Sequence, residues 1–252
     1  MAKIEDVMPR ANRYIMPGHA YHLTHRCHDR EFLLRFQKDR DTYREWLREG
    51  MSRHGVSVLG YCITSNHVHL VVSGEQQQKV SSMMQLAAGC TASEYNVRKG
   101  RKGAFWEGRY GCTMIESGEH LWRCLLYVDM NMVRAGVAGH PREWEWCGYR
   151  EVVGLRERYR VLDRQKLMDD LRVAGADELR ERYRALIDSR VSGHRLARQP
   201  QWTESVAVGS ESFVEEVAEK LGRRARIKLE PTGDPGEDSW RVREASPSYS
   251  HF

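Results

Sequence analysis

No stretch of eighteen apolar residues occurs in this 252-residue chain, which excludes a membrane-spanning helix. Nothing near the start reads as a secretory leader, because Met1 to Tyr21 is charged and broken by Pro9 and Pro17. Cysteine is sparse. The six thiols stand at 27, 62, 90, 112, 124 and 147, no two closer than twelve residues, so there is no CxxC pair. That spacing excludes a zinc ribbon and a dense disulfide framework. It leaves reduced, buried thiols in a cytoplasmic protein as the expectation. The chain also lacks a P-loop, a GxGxxG fingerprint, an internal repeat and any Ser/His/Asp constellation.

What is present suits one sizeable soluble domain, or one of ordinary size with an appendage: 40% hydrophobic and 30% charged residues. The net charge of +5 is modest, but it is unevenly distributed. Between Arg98 and Tyr110 five basic residues (Arg98, Lys99, Arg101, Lys102 and Arg109) face only Glu107, with Phe105, Trp106 and Tyr110 interleaved. Cations for phosphates and rings for bases are what a nucleic-acid surface needs. The competing reading is a solvated loop between two elements. Lys220 to Lys228 carries five further basic residues and no acid, whereas acids prevail from Glu230 to Glu244.

Periodicity predicts a strand over Tyr21–Cys27 and a helix over Lys38–His54 closed by Gly55. Two strands follow, Val56–Thr64 and His67–Ser73, joined as a hairpin by Ser65-Asn66. Then come a helix over Ser81–Asn96, a short strand over Tyr110–Ile115, and a third helix capped by Ser117 and running to about Val133. This order fits an α+β sandwich with helices on a mainly antiparallel sheet. Beyond Glu151 the pattern reads as helices without strands: Leu162–Val173, Asp177–Asp188 and Glu211–Leu221. The stretch from Pro231 to Phe252 reads as a flexible tail.

Two constellations could carry chemistry. In the strand HVHLVV, His67 and His69 point to the same face, with Cα atoms about 6.6 Å apart, and could converge on one divalent ion. The alternative is a strand with two solvent-facing histidines. On the third helix, Leu121, Leu125, Val128 and Met132 form an apolar stripe. His120, Arg123, Tyr127, Asn131 and Arg134 form a separate, polar one. Tyr127 is thus set among polar and cationic side chains, and Asn131 lies over the same patch four residues on. An amide oxygen is acceptable to Mg²⁺ or Mn²⁺ as a third ligand. Metal, tyrosine and cations together suggest phosphoryl transfer: the ion polarises a scissile phosphate, and the tyrosine attacks to give a covalent phosphotyrosine. Arg123, Arg134 or the metal would stabilise the phenolate. His19, His22, His25 and His28 do not share a face and do not read as a second metal site.

These residues sit in segments that resemble the single-tyrosine HUH transposases, and among them the REP-associated tyrosine transposases. The matching segments are Pro17-Gly18 with Tyr21-His22-Leu23-Thr24 and Arg26; Ser65 to Leu70; Phe105 to Tyr110; Tyr127 with Asn131 to Gly136; and Trp146 to Tyr149. They occur in the family's order over about residues 8 to 155. The chain departs from the family's usual residues at Thr64, Met132 and Cys147-Gly148.

The resemblance implies a ferredoxin-like HUH nuclease core with a C-terminal helical extension. It implies His67, His69 and Asn131 as ligands of Mg²⁺ or Mn²⁺, and Tyr127 as nucleophile; an adduct that survived loss of the Tyr127 hydroxyl would put Tyr110 or Tyr149 next in line. It implies single-stranded DNA bearing a hairpin of repetitive extragenic palindrome type as substrate, with the 5′ phosphate kept on the enzyme and a 3′-hydroxyl released. Arg26, Arg98, Lys99, Arg101, Lys102, Trp106, Arg109, Arg123 and Arg134 are the expected DNA contacts. The expected layout is a nuclease domain over 8–155, a helical extension over 156–230 and a tail over 231–252. The protein is expected in the cytoplasm, on the nucleoid when bound to DNA, and as a monomer if the extension covers a sheet edge. The alternative function is hairpin-DNA or RNA binding without catalysis.

Overall fold

The computed structural model describes residues 15–193, 197–222, 227–232 and 237–244. Its first part runs β1 (Ala20–Arg26), α1 (Gln37–His54), β2 (Ser57–Ile63), β3 (His67–Ser73), α2 (Gln77–Lys99) and β4 (Gly111–Ile115). These four strands lie in the order β2-β3-β1-β4, and every neighbouring pair is antiparallel. That is the ferredoxin-like βαββαβ arrangement. Gly55 ends α1 at φ 61°, a left-handed position that glycine takes without steric cost.

The two faces of the sheet are used differently. Along β1, Tyr21, Leu23 and His25 point one way, and His22, Thr24 and Arg26 the other. The first face is closed by α1 and α2, which approach each other closely where Gly50 meets Met83. Trp106 seals this side, stacked on His25 at 4.1 Å with its indole N–H donated to the Ala88 carbonyl. The second face carries α3 (Glu119–Asp129) and then α4 (Asn131–Arg134). Leu121, Leu125, Val128 and Met132 are all buried, as the apolar stripe predicts. Gly60 of β2, beside an irregularity in the β2–β3 register, lets α3 sit down on the sheet: a Cβ there would lie 2.5 Å from Leu125 Cδ2.

Several expectations need correction. Helix α2 extends to Lys99, so Arg98 and Lys99 belong to its last turn rather than to a loop. The third helix is capped by Gly118, not Ser117, because the chain enters it at φ 84°. It also tightens at Met130, where ψ is 0°, before Asn131 resumes helical structure.

The region beyond residue 155 is not purely helical. It holds α6 (Arg164–Leu171), α7 (Ala176–Ser192), α8 (Gln201–Glu204) and α9 (Glu211–Leu221), with the one-turn α5 (Tyr149–Val152) just before it. It also adds β5 (Ala207–Gly209), β6 (Ile227–Pro231) and β7 (Trp240–Glu244) to the same sheet, in the order β4-β5-β7-β6. The β4–β5 pairing is parallel, so the seven-stranded sheet is mixed. Short strands whose partners are distant in sequence leave little local periodicity, which is why helices dominated the pattern there. Strand β7 falls within the stretch expected to be a tail; residues 245–252 of that stretch lie outside the described residues. Among the described residues all six cysteines are free, and no helix is long and apolar enough to cross a membrane.

Candidate active site

His67 and His69 begin β3 and face the side of the sheet that α3 covers. The register sets His67 opposite Arg26 and His69 opposite Thr24. Tyr127 comes down from α3, while Asn131 and Arg134 come from α4. Together they line a cleft of about 760 Å³, joined by Arg109 and, from the C-terminal region, by Arg198, Thr203 and Glu204. The cleft is the place where the two predicted constellations meet.

Hydrogen bonds determine which imidazole nitrogens carry protons. His22 Nδ1 lies 2.7 Å from the Trp202 carbonyl, which can only accept, so Nδ1 donates. Burial lowers the His22 pKa to about 4, leaving the ring neutral and its Nε2 an acceptor. That atom is 2.9 Å from His69 Nδ1, which therefore donates. His69 is held well below its ordinary pKa by burial and by its histidine neighbours, so its Nε2 has a bare lone pair.

His67 reaches the same state by another route. Asn66 donates its amide N–H to the Arg30 carbonyl, which turns its Oδ1 toward His67 Nδ1 at 2.7 Å. His67 Nδ1 donates, and Nε2 is left bare in a ring whose pKa burial lowers to about 4. Two neutral imidazoles with unprotonated Nε2 atoms are what a metal site requires, with the Nδ1 partners fixing the rings.

The residues fit a divalent ion. The Asn131 amide nitrogen lies 3.0 Å from His69 Nε2, and turning that amide about its last bond offers the oxygen in its place. Ligands about 2.1 Å from an octahedral ion are about 3.0 Å apart along an edge. Among the described residues no cluster of three or more His, Cys, Asp or Glu side chains is placed to hold a metal. The set is therefore two imidazoles and an amide, which leaves other positions for water and phosphate oxygens. The amide oxygen and the positions left for water and phosphate are acceptable to Mg²⁺ or Mn²⁺, and among the described residues the cleft lining holds no thiolate for a softer ion.

Tyr127 is buried to 6% exposure, yet its ring borders the cleft. It stands edge-on to His22 and His69, each at 6.2 Å between centroids. Arg134 lies 3.9 Å over its face and donates Nη1 to the Tyr127 carbonyl at 2.7 Å. Burial raises the Tyr127 pKa, while Arg134 and Arg198 pull it back down. Arg134 lines the cleft, and its Nη2 is buried without a hydrogen-bond partner among the described residues. Of the other tyrosines considered, Tyr110 bonds Ser81, and Tyr149 packs against His140 and Tyr183. Neither lines the cleft.

The expected DNA contacts divide. Arg26, Arg109 and Arg134 line the cleft. Arg98 pairs with the buried Asp39, Arg101 with Glu31, and Arg123 with Glu119 and Glu237. Arg123 therefore does not support the Tyr127 phenolate. Trp106 is half-buried and packs on the far side of the sheet against His25, Tyr43 and the Ala88 carbonyl. Lys99 and Lys102 are exposed at the end of α2, outside the cleft. Sequence reading missed His22, Trp202, Arg198, Thr203 and Glu204. The same-face alternation of His22 with Thr24 and Arg26 was a usable signal for the first; for the others no local pattern exists.

A family model described as transposase, IS200-like, matches residues 16–130, which contain His67, His69 and Tyr127. Over that segment the chain is similar to the IS200-like transposases. No curated protein sequence matches the chain. Among solved structures, a REP-associated tyrosine transposase bound to a REP hairpin is similar at 16% identity and TM-score 0.48 over 60% of this chain and 89% of that one. A candidate transposase from Deinococcus radiodurans R1 is similar at 17% identity and TM-score 0.32, over 42% and 84%. The family match ends at residue 130, one position before Asn131. Asn131, Arg134 and the C-terminal wall of the cleft lie beyond it.

Proposed function

We propose that this protein is a metal-dependent single-strand DNA endonuclease and strand transferase, acting at hairpins of the repetitive extragenic palindrome type through a covalent 5′-phosphotyrosine. The observation that carries this reading is the meeting of Tyr127 with the bare Nε2 atoms of His67 and His69 in one arginine-lined cleft. His67, His69 and Asn131 would hold Mg²⁺ or Mn²⁺, and the bound ion supplies Lewis-acid polarisation of the scissile phosphate.

The chain's own groups do the rest. Arg26, Arg109 and the unpartnered Nη2 of Arg134 bind phosphate oxygens and orient the strand. Arg134 over the ring favours the phenolate of Tyr127 against the cost of burial. The Tyr127 oxygen forms a bond to phosphorus as the phosphorus–3′-oxygen bond breaks; the tyrosine loses its proton, and the departing 3′-oxygen gains one. The phosphotyrosine keeps the bond energy, so another 3′-hydroxyl can reverse the step.

The test is incubation with a labelled hairpin bearing single-stranded flanks, in Mn²⁺, followed by a denaturing gel. A protein-linked label is expected from the wild type and none after chelation. Binding without any linked label would overturn catalysis in favour of a hairpin-binding protein.

A further inference from the structure

Between β1 and α1 the chain makes a loop whose aromatic residues point the wrong way for a core. Phe32 is 65% exposed and Phe36 56% exposed, while Leu33 and Leu34 between them are buried and pin the loop down. The loop is also strapped to the turn that leads into His67. Leu34 N–H donates to the Ser65 carbonyl at 2.9 Å, Cys27 N–H to the Asn66 carbonyl at 2.8 Å, and Asn66 to the Arg30 carbonyl. Asp29 and Arg30 are consecutive left-handed residues with φ 49° and 57°, a costly conformation for residues with side chains. The two rings are therefore held out on a fixed loop close to the metal-binding strand.

Their surroundings are cationic. Arg35 and Lys99 lie 5.8 and 5.1 Å from the centre of the Phe36 ring. Arg30 and Lys38 are exposed nearby. Of the loop's acids, Glu31 is paired with Arg101, and the exposed Asp29 lies 3.4 Å from the His28 ring. No carboxylate is within ion-pair distance of Arg30, Arg35, Lys38 or Lys99 among the described residues. Rings flanked by uncompensated cations suit a chain of alternating bases and phosphates. Paired bases hide their faces in the stack, so only unpaired ones can use such rings.

We infer that Phe32 and Phe36, with Arg35 and Lys99, form a stacking platform for unpaired nucleotides that continue beyond the cleft. The inference rests on the DNA-strand reading above and names where that strand runs. It also gives Lys99 a role through phosphate contact outside the cleft.

The experiment measures binding of the full chain to a labelled oligothymidylate, which forms no hairpin, and to a hairpin with single-stranded flanks. Phe32→Ala with Phe36→Ala should weaken oligothymidylate binding about tenfold or more, from loss of stacking on two bases. The thermal midpoint should be unchanged, since both rings are exposed. Phe36→Trp, in the otherwise wild-type chain, should bind at least as tightly as the wild type. A double-alanine protein that binds like a wild type able to bind both probes overturns the platform and leaves the proposed function standing. A wild type that binds neither probe overturns the proposed function and the platform with it.

Discussion

Two sets of arginines occupy this molecule in different electrical states. Arg98, Arg101 and Arg123 each face a carboxylate, and the Arg98 pair is anchored on Asp39, which is almost fully buried. Arg26, Arg109 and Arg134 open onto the cleft, with no carboxylate within ion-pair distance among the described residues. The first set is close-packed or solvent-facing structure. The second has no protein anion to satisfy it and is available to a phosphate. A local excess of positive charge in the sequence is not an excess in space when acids from elsewhere in the fold pair with it, whereas three arginines far apart in sequence can converge with no carboxylate beside them.

The comparison is broken most decisively at the residue between the cleft arginines and the histidines. Tyr127→Phe should abolish the protein–DNA adduct on a denaturing gel while hairpin affinity stays within a few-fold of wild type. An adduct that persists would move the nucleophile out of the cleft. Next in size is Arg134→Ala against Arg98→Ala. The first should slow cleavage by about 10²–10³, the scale for one donor aimed at developing charge. The second should leave cleavage intact and cost about 1–2 kcal/mol of stability by urea unfolding. It strands a buried carboxylate, but its own side chain is about a third exposed and therefore screened.

His22→Phe should lower Mn²⁺ affinity, read by titration calorimetry, by about 10–100-fold, because nothing then accepts the His69 Nδ1 proton. His22→Gln, whose oxygen can accept it, should recover part of that loss. Equal affinities in the two variants would refute the proton relay from the Trp202 carbonyl.

A pH series probes the histidine side of the cleft. His22 and His67 are neutral when folded, with pKa values of about 4, against about 6.5 when unfolded. Below about pH 6.5 the unfolded chain takes up protons that the folded chain refuses, so their contribution to stability is whole above that pH. It declines as pH falls toward about 4. Urea midpoints of the metal-free protein should fall between pH 7 and pH 5, and this fall should shrink in His22→Gln. The smallest effect concerns salt. Removing Arg26 or Arg109 should flatten the dependence of log affinity on log salt by about 0.7 each on single strands, and removing Arg123 should not.

How much of this was legible beforehand follows from how local each signal is. The βαββαβ core could be read because alternation and helical spacing act over a few residues, and the HVH strand could be read because pleating alone puts His67 and His69 on one face. The stripe on the third helix likewise separated Tyr127 and Asn131 from Leu121 and Leu125. Strands β5 and β7 could not be read, because three and five residues carry too little periodicity and their pairing partner is set by the whole sheet. Trp106 misled for a related reason. It lies in a stretch whose net charge is basic, and its neighbours in space are His25, Tyr43 and the Ala88 carbonyl.

The amino-acid sequence by itself determined which residues share a face, and with that the pairing of two imidazoles and the polar setting of one tyrosine. Only the tertiary structure decided that these faces meet, that Trp202 from 180 residues away sets the proton on His22, and which arginines are left uncancelled. Backbone geometry repeats every two or 3.6 residues and is written locally. Desolvation and charge compensation depend on what lies within a few ångströms in space, and that is fixed only when the chain closes on itself.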